Sequence, residues 1–166
     1  KRAEQADLFY TRIFSIEGQH LYFSLNDADL AVFRTIRLRV HRGYFVAFLV
    51  YFKSKPVILY IAYSQVFKDL MFISKELLGG KGLRPFTPSQ KQKDRLYAKV
   101  LDLDGYHKCD ESQHFNSLFD HLVQVGNAWM EPRYLFDTAI EFLTSHSIAI
   151  PRYTVLQRLL CRALQQ

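Results

Sequence analysis

The residues best suited to contact an anionic partner are the cations at the start of the stretch 34–55. They precede a block of aromatic and aliphatic residues that is closed by Lys53 and Lys55. No Asp or Glu occurs from Leu30 to Lys68, whereas seven Lys or Arg do. This pattern predicts a buried helix with a cationic end, and we expect that end to meet phosphate. A helix end that contacts only solvent is the alternative. The cations are Arg34, Arg37, Arg39, His41 and Arg42.

A second basic group begins a predicted helix over residues 88–103. Thr87, Pro88 and Ser89 provide the start signals of this helix. Its first half holds four cations against a single acidic residue, Asp94. Cations clustered along one helix are typical of a nucleic-acid-binding surface. We therefore predict phosphate contacts from Lys91, Lys93 and Arg95.

The C-terminal part of the chain has the proportions of a helix-turn-helix. A predicted helix over 135–146 is followed by a short link with Pro151 and a last helix over 154–163. In such a unit the N-terminal side chains of the second helix enter the major groove, where Arg contacts guanine and Gln contacts adenine. The alternative is a helical hairpin without a DNA-binding role, because any hairpin with surface arginines has the same pattern. The predicted DNA-binding residues here are Arg152, Tyr153, Thr154, Gln157, Arg158 and Arg162.

No residue pattern predicts catalysis or metal binding. Asp102, Asp104, Asp110 and Glu111 surround a polar turn, where solvated charges are the favoured interpretation. There is no glycine-rich phosphate loop, no nucleophile motif and no zinc-protease spacing. The spacing of the nearby histidines and Cys109 matches no standard zinc pattern. We therefore expect a non-catalytic chain without a cofactor.

The charge of the chain is positive and unevenly distributed. The 166 residues carry a formal charge of +6, and 49% of them are hydrophobic, which is typical of a folded globular protein. Residues 1–56 carry +4, residues 57–99 carry +5, residues 100–130 carry −4 and residues 131–166 carry +1. A basic front and an acidic middle indicate an anionic partner on one side of the protein. A basic protein that binds no anion is the alternative.

The cysteine count and the hydropathy pattern bear on location. Two distant cysteines, Cys109 and Cys161, make no disulfide framework, so we expect a reducing compartment such as the cytoplasm. The longest apolar run, residues 43–52, is about half of what a membrane-spanning helix needs. We therefore expect a soluble protein without a membrane partner. The chain begins at Lys1 instead of Met, and we expect it to be a piece of a longer protein.

Helical periodicity dominates the chain, and no strand alternation or hairpin turn is evident. We predict an all-α fold of eight or nine helices in two small helical subdomains with helix-turn-helix-like units. The subdomains cover residues 1–80 and 88–166, joined by a Gly- and Pro-rich linker over 81–87. The predicted helices cover residues 3–14, 26–37, 42–53, 56–68, 69–78, 88–103, 112–126, 132–146 and 154–163.

The segment RYLFDTAIEFLTSHSIAIPRYTVLQRLL, residues 133–160, carries a family-like pattern. A Leu-Phe-Asp-x-Ala helix is followed by a hydrophobic link that ends in Pro, and then by Thr, Leu, Arg and Leu. The segment resembles the N-terminal DNA-binding region of the Tn-three family of transposases, and the resemblance extends over about residues 8–162. The matching residues are Leu135, Phe136, Asp137, Ala139, Pro151, Thr154, Leu156, Arg158 and Leu159.

The resemblance implies a DNA-binding module that recognises the terminal inverted repeats of a transposon. In that family a separate C-terminal domain with three acidic residues and Mg²⁺ cuts and joins DNA. The implied partners are double-stranded DNA and the rest of the transposase, in the bacterial cytoplasm or nucleoid. The competing hypothesis is a helical protein–protein interaction domain. Arginines that converge on one face would favour DNA, whereas arginines paired with the acidic residues 102–111 would favour an interaction scaffold.

Overall fold

The structure is a computed structural model that describes residue 9 and residues 14–59, 61–125 and 131–165. These residues contain helices and isolated backbone bridges but no strand, which confirms the predicted all-α class. The predicted helix over 3–14 lies almost entirely outside the described residues. The described helices are α1 (Ile16–Tyr22), α2 (Asp27–Thr35), α3 (Arg39–Ser54), α4 (Tyr63–Leu77), α5 (Gln90–Asp104), α6 (Glu111–Val125), α7 (Pro132–Ser145) and α8 (Tyr153–Leu164).

One helix, α4, stands where the sequence predicted two over 56–68 and 69–78. Residues 56–59 are non-helical because their backbone pairs elsewhere. The N–H of Ile150 donates to the carbonyl of Pro56 at 2.8 Å, and Val57 forms a parallel bridge with Ile150. Pro56 therefore does not start a helix. Helix α4 begins after Ala62, whose N–H donates a hydrogen bond to Oε1 of Gln65 at 3.0 Å.

The contacts between residues divide the chain into two compact units. Unit 1 comprises Lys1–Lys55 and Leu59–Asp104, and unit 2 comprises Pro56–Ile58 and Gly105–Gln166. Helix α5, which the sequence analysis assigned to the second subdomain, packs in unit 1. The predicted division into subdomains over 1–80 and 88–166 stays a prediction.

Helix α3 is the core of unit 1, since every residue from Gly43 to Phe52 is buried. Helix α5 runs parallel to α3. The hydroxyl of Tyr44 donates to the carbonyl of Phe86 at 2.5 Å, near the start of both helices. Phe48 stacks on Tyr97 with ring centroids 4.4 Å apart, further along both helices. The N-termini of α3 and α5 therefore lie at the same end of unit 1.

Helix α2 runs antiparallel to α3. Near the start of α2, Asp29 accepts a hydrogen bond at 2.7 Å from Lys53, at the C-terminus of α3. Beyond the end of α2, the carbonyl of Ile36 accepts at 2.6 Å from Nε of Arg42, in the first turn of α3. The C-terminus of α2 therefore joins the N-termini of α3 and α5 at one end.

The predicted linker over 81–87 packs against α3. A Cβ built on Gly43 would lie 3.1 Å from Cδ1 of Leu83 and 3.3 Å from Cδ2 of Leu70, so glycine allows this close approach. The ring of Phe86 also lies 5.8 Å from that of His41. The segment therefore belongs to the same end of unit 1 as the N-terminus of α3.

A buried polar cluster connects α1, α3 and α4. The carboxylate of Asp69 is 5% exposed and accepts hydrogen bonds from the hydroxyl of Tyr51 and from Nε2 of Gln19, the latter at 2.8 Å. Burial raises the pKa of Asp69, although the two donors oppose this effect. The cluster satisfies three side chains that would otherwise be unpaired in the core.

Unit 2 is built from α6, α7 and α8, which all contact one another. The link from α7 to α8 is held by backbone pairing. The N–H of His107 donates to the carbonyl of Ser147 at 2.7 Å, and the N–H of Ala149 donates back to the carbonyl of His107 at 2.8 Å. Ser147 adopts a left-handed conformation with φ of 53°, which turns the chain away from α7.

The buried polar cluster should make the free energy of unfolding depend on pH. The pKa of Asp69 is raised in the folded state, so the folded protein binds a proton more readily than the unfolded chain. Stability should therefore fall as pH rises through the ordinary carboxyl range towards the raised pKa. Asp69→Asn keeps one oxygen that accepts from Gln19, replaces the oxygen that accepts from Tyr51 by an N–H donor to the Tyr51 hydroxyl, and removes the titratable group, so it should flatten this dependence. Urea unfolding at several pH values measures it, and equal slopes in the two proteins would contradict the prediction.

Candidate nucleic-acid interface

Two of the three predicted basic groups come together at one end of unit 1. We call this the basic end, and it comprises the C-terminus of α2, the N-termini of α3 and α5, and the segment 81–87. The convergence follows from the parallel packing of α3 and α5 and from the antiparallel packing of α2. The exposed cations of the basic end are Arg34, Arg37, Lys81, Arg84, Lys91 and Arg95.

The net positive charge of the chain belongs to unit 1. By sequence, unit 1 holds seventeen Lys or Arg against ten Asp or Glu, a charge of +7, whereas unit 2 holds five against six, a charge of −1. Two of the acids in unit 1, Asp29 and Asp69, are buried, so its exposed surface is more basic than the count indicates. The N-termini of α3 and α5 add positive partial charge at the basic end.

Among the described residues, the six exposed cations of the basic end have no ion-pair partner. None of their side chains forms an ion pair or hydrogen bond within residues 14–59, 61–125 and 131–165. The acidic residue closest to them in sequence, Asp94, accepts a hydrogen bond at 3.0 Å from the side chain of Gln90. Lys93 is half-buried in the first turns of the same helix. These cations are therefore available to an anionic partner.

Arg42 is a structural residue as well as a cation. Its Nε donates to the carbonyl of Ile36 at 2.6 Å, and one Nη donates to the carbonyl of Arg34 at 3.5 Å. Its guanidinium carbon lies 5.3 Å from the ring centroid of Phe33. The last carbonyls of a helix lack partners within that helix. Arg42 therefore closes the C-terminus of α2 and holds it against α3.

Arg39 and His41 are half-buried and also hold the basic end together. One Nη of Arg39 donates to the hydroxyl of Ser74 at 3.2 Å and to the carbonyl of Lys81. The segment 81–87 is thereby tied to α3 and α4. Burial lowers the pKa of His41, which favours the neutral ring. Nε of Arg39 and Nε2 of His41 are buried without a hydrogen-bond partner among the described atoms.

The C-terminal hairpin differs from the predicted helix-turn-helix in its link and in its cap. The link between α7 and α8 has seven residues, 146–152, whereas a helix-turn-helix uses three or four. Helix α8 begins at Tyr153 after Arg152, whose side chain forms no capping hydrogen bond. The helix therefore begins one residue before the predicted start at Thr154, and Thr154 lies in its first turn.

The cations of α8 are directed at groups within unit 2. Nη2 of Arg158 lies 3.6 Å from Oε1 of Glu111, and both side chains are more than half exposed, at 66% and 59%. Such an exposed pair contributes little to stability. Gln157, the residue before Arg158, is also exposed. An open groove of about 470 Å³ is lined by Phe115, Asn116, Phe119, Leu159, Arg162 and Gln165.

Asp104, Cys109 and Asp110 have shifted pKa values with local causes. Asp110 accepts from the backbone N–H and hydroxyl of Ser112 at 2.8 Å and 2.6 Å, which holds its pKa below the usual range. Burial raises the pKa of Asp104. Burial also raises the pKa of Cys109 to about 11, so its thiol is a weak nucleophile at neutral pH.

No group of three or more His, Cys, Asp or Glu in the described part of the chain could hold a metal ion. No helix within the described residues is long and apolar enough to cross a membrane.

The geometry defines an all-α protein with one strongly basic helical end. A family model described as "Domain of unknown function (DUF4158)" matches residues 1–163, so the chain belongs to this family. No curated protein matches the chain. The family description names neither an activity nor a ligand.

Sequence reasoning missed two cations of the basic end, Lys81 and Arg84. Both lie in the segment that its glycines and prolines marked as a linker. The hydrophobic residues of that segment, Leu83 and Phe86, were the available signal that it packs, since both contact the N-terminal half of α3.

The hydrogen bonds of Arg42 predict that this residue, unlike the exposed Arg37, contributes to the stability of the fold. Arg42→Ala should lower the free energy of unfolding by about 1.5–3 kcal/mol, the usual range for hydrogen bonds to a charged group. Arg37→Ala, at an exposed position without such bonds, should stay within about 0.5 kcal/mol of the parent protein. Urea unfolding monitored by circular dichroism measures both changes. Equal effects of the two substitutions would refute this assignment.

Proposed function

We propose that the chain is the DNA-binding module of a transposase and recognises the terminal inverted repeats of a transposon. The observation that carries the proposal is the convergence of six exposed, unpaired cations at the basic end. Phosphate contacts of this kind supply most of the affinity of non-specific DNA binding and position a protein on the duplex. The resemblance of residues 133–160 to the Tn-three family supports the choice of transposon ends as the DNA.

The described residues provide binding groups for the proposed role. Arg34, Arg37, Lys81 and Arg84 would contact phosphates near the start of α5. Arg39, His41 and Arg42 hold the elements that carry these cations. Cutting and joining of DNA would belong to a separate Mg²⁺-dependent domain of the parent transposase, in the bacterial cytoplasm or nucleoid. We propose no cofactor and no catalytic role for the residues of this chain.

A protein–protein interaction function is the second candidate, and it concerns unit 2. The pairing of Arg158 with Glu111 is the arrangement that favours an interaction scaffold, and the groove beside Arg162 is lined by both apolar and polar side chains. The two functions are compatible if unit 2 contacts the rest of the transposase while unit 1 contacts DNA.

Salt dependence tests the DNA-binding proposal directly. If five or six of the exposed cations of the basic end meet phosphates, log K should fall with log salt with a slope of about −5. The measurement is a fluorescence anisotropy titration of a labelled duplex from low to physiological salt. A transposon-end duplex and a scrambled duplex of the same length test recognition. A slope near zero, or no binding to either duplex, would refute the proposal.

Substitution at the basic end provides the matched comparison. The double change Arg37→Ala and Lys91→Ala should reduce the slope by about 2 and weaken all duplexes similarly, because phosphate contacts carry no sequence information. Changing Lys68 and Lys75 to Ala removes the same charge from exposed positions on α4 and is the control. Equal losses from the two double variants would show that total charge, and not the basic end, determines binding.

A further inference from the structure

We infer that α5, and not α8, is the helix that contacts base edges, with Arg95 as its principal specificity residue. The inference rests on the proposed DNA binding and specifies which helix of the protein enters the groove. The sequence favoured α8 because of its likeness to a recognition helix. The exposure, pairing and charge of the two helices favour α5.

The exposed face of α5 has the composition of a recognition surface. Its first half is basic, its acidic residue Asp94 is hydrogen-bonded to Gln90, and its second half carries the exposed acid Asp102. A recognition helix contacts the major groove with its N-terminal residues, so the basic first half of α5 would enter the groove. The exposed residues of this face are Gln90, Lys91, Asp94, Arg95, Ala98 and Asp102.

Ala98 is the small residue at the centre of this face. It lies three residues after Arg95, so the two side chains are neighbours on the helix surface. A short side chain at this point leaves room for the groove walls to approach the helix. Arg95 itself has two parallel N–H groups that match O6 and N7 of guanine. Together these residues combine close approach with a specific hydrogen-bonding group.

Helix α5 is also held rigidly, which base recognition requires. Its inner face buries Leu96, Tyr97, Val100 and Leu101. The hydroxyl of Tyr97 donates to the carbonyl of Leu59 at 2.6 Å and accepts from the N–H of Leu59 at 3.1 Å. The N-terminus is closed by a capping box, in which Ser89 N–H donates to the Gln92 side chain at 2.8 Å.

Helix α8 lacks these advantages. It belongs to the unit with a net charge of −1, and its Arg158 is paired with Glu111. Arg162 lines a groove with aromatic residues of α6. To contact DNA through Arg158, the protein would have to give up the ion pair and bring Glu111 close to phosphates. Helix α5 requires neither change.

Matched substitutions on the two helices test the inference. Ala98 follows Arg95 by three residues, and Cys161 follows Arg158 by three residues; both are exposed. Ala98→Glu and Cys161→Glu therefore introduce the same negative charge beside each arginine. If α5 enters the groove, Ala98→Glu should weaken duplex binding by on the order of tenfold or more, because like charges meet at the interface. Cys161→Glu should have a clearly smaller effect. Circular dichroism checks that both variants are folded.

The second test concerns base preference. The 166-residue chain and its variants select duplexes from a library with a randomised central region, and sequencing gives the preference at each position. Arg95→Ala should reduce discrimination at one or two adjacent base pairs by about 5- to 150-fold, the range of one bidentate contact. Arg95→Lys should keep the salt slope yet alter that preference, since lysine lacks the planar fork of arginine. Arg37→Ala should weaken binding without changing the preferred sequence.

The outcomes distinguish this inference from the proposed function. No duplex binding by the parent chain refutes both. Binding with a sequence preference that Arg95→Ala leaves intact refutes the role of α5 alone, and so does a larger loss from Cys161→Glu than from Ala98→Glu. Binding without any sequence preference likewise overturns the assignment of a base-contacting helix while leaving DNA binding at the basic end in place.

Discussion

The constraint on which unit 1 depends is the complete burial of α3. Ten consecutive residues, from Gly43 to Phe52, are buried, and ten residues of a helix point in every direction around its axis. Other elements must therefore cover α3 on all sides, and α2, α4 and α5 all contact it. Charged groups can remain on such a helix only at its ends. The cationic cluster before Gly43 and Lys53 after Phe52 follow from this single requirement.

Cations at the start of a helix are unfavourable by themselves, because the N-terminus already carries positive partial charge. The structure offsets this cost with carbonyl groups of neighbouring segments. Arg42 contacts the carbonyls at the end of α2, and Arg39 contacts the carbonyl of Lys81. These contacts assemble the basic end and also divide its cations into two classes. Half-buried arginines hold backbone segments together, while exposed ones remain available to an anion.

The sequence predicted the helical class and placed α2, α3, α5, α6, α7 and α8 within a few residues, because hydrophobic periodicity and caps are local signals. It failed at residues 56–62, where Pro56 resembled a helix start but pairs with Ile150, far away in the chain. The sequence also could not show that Arg39 has a structural role whereas Arg37 is exposed. The two arginines are close neighbours in a uniformly basic stretch, and only the position of Ser74 and the Lys81 carbonyl makes Arg39 structural. Contacts between distant residues decide such cases, and no local pattern encodes them.

The unequal charges of the two units affect how a single chain could combine affinity with recognition. Electrostatic contacts to phosphates supply a large part of any DNA affinity, so a unit with a charge of −1 gains little from them. Unit 1 carries the net positive charge, and six of its exposed cations lie at the basic end, where three helix ends meet. Because affinity and sequence readout must act on the same stretch of duplex, a base-contacting helix is most effective when it starts within the phosphate-binding surface. Helix α5 starts there, since Lys91 and Arg95 belong both to the basic end and to its exposed face.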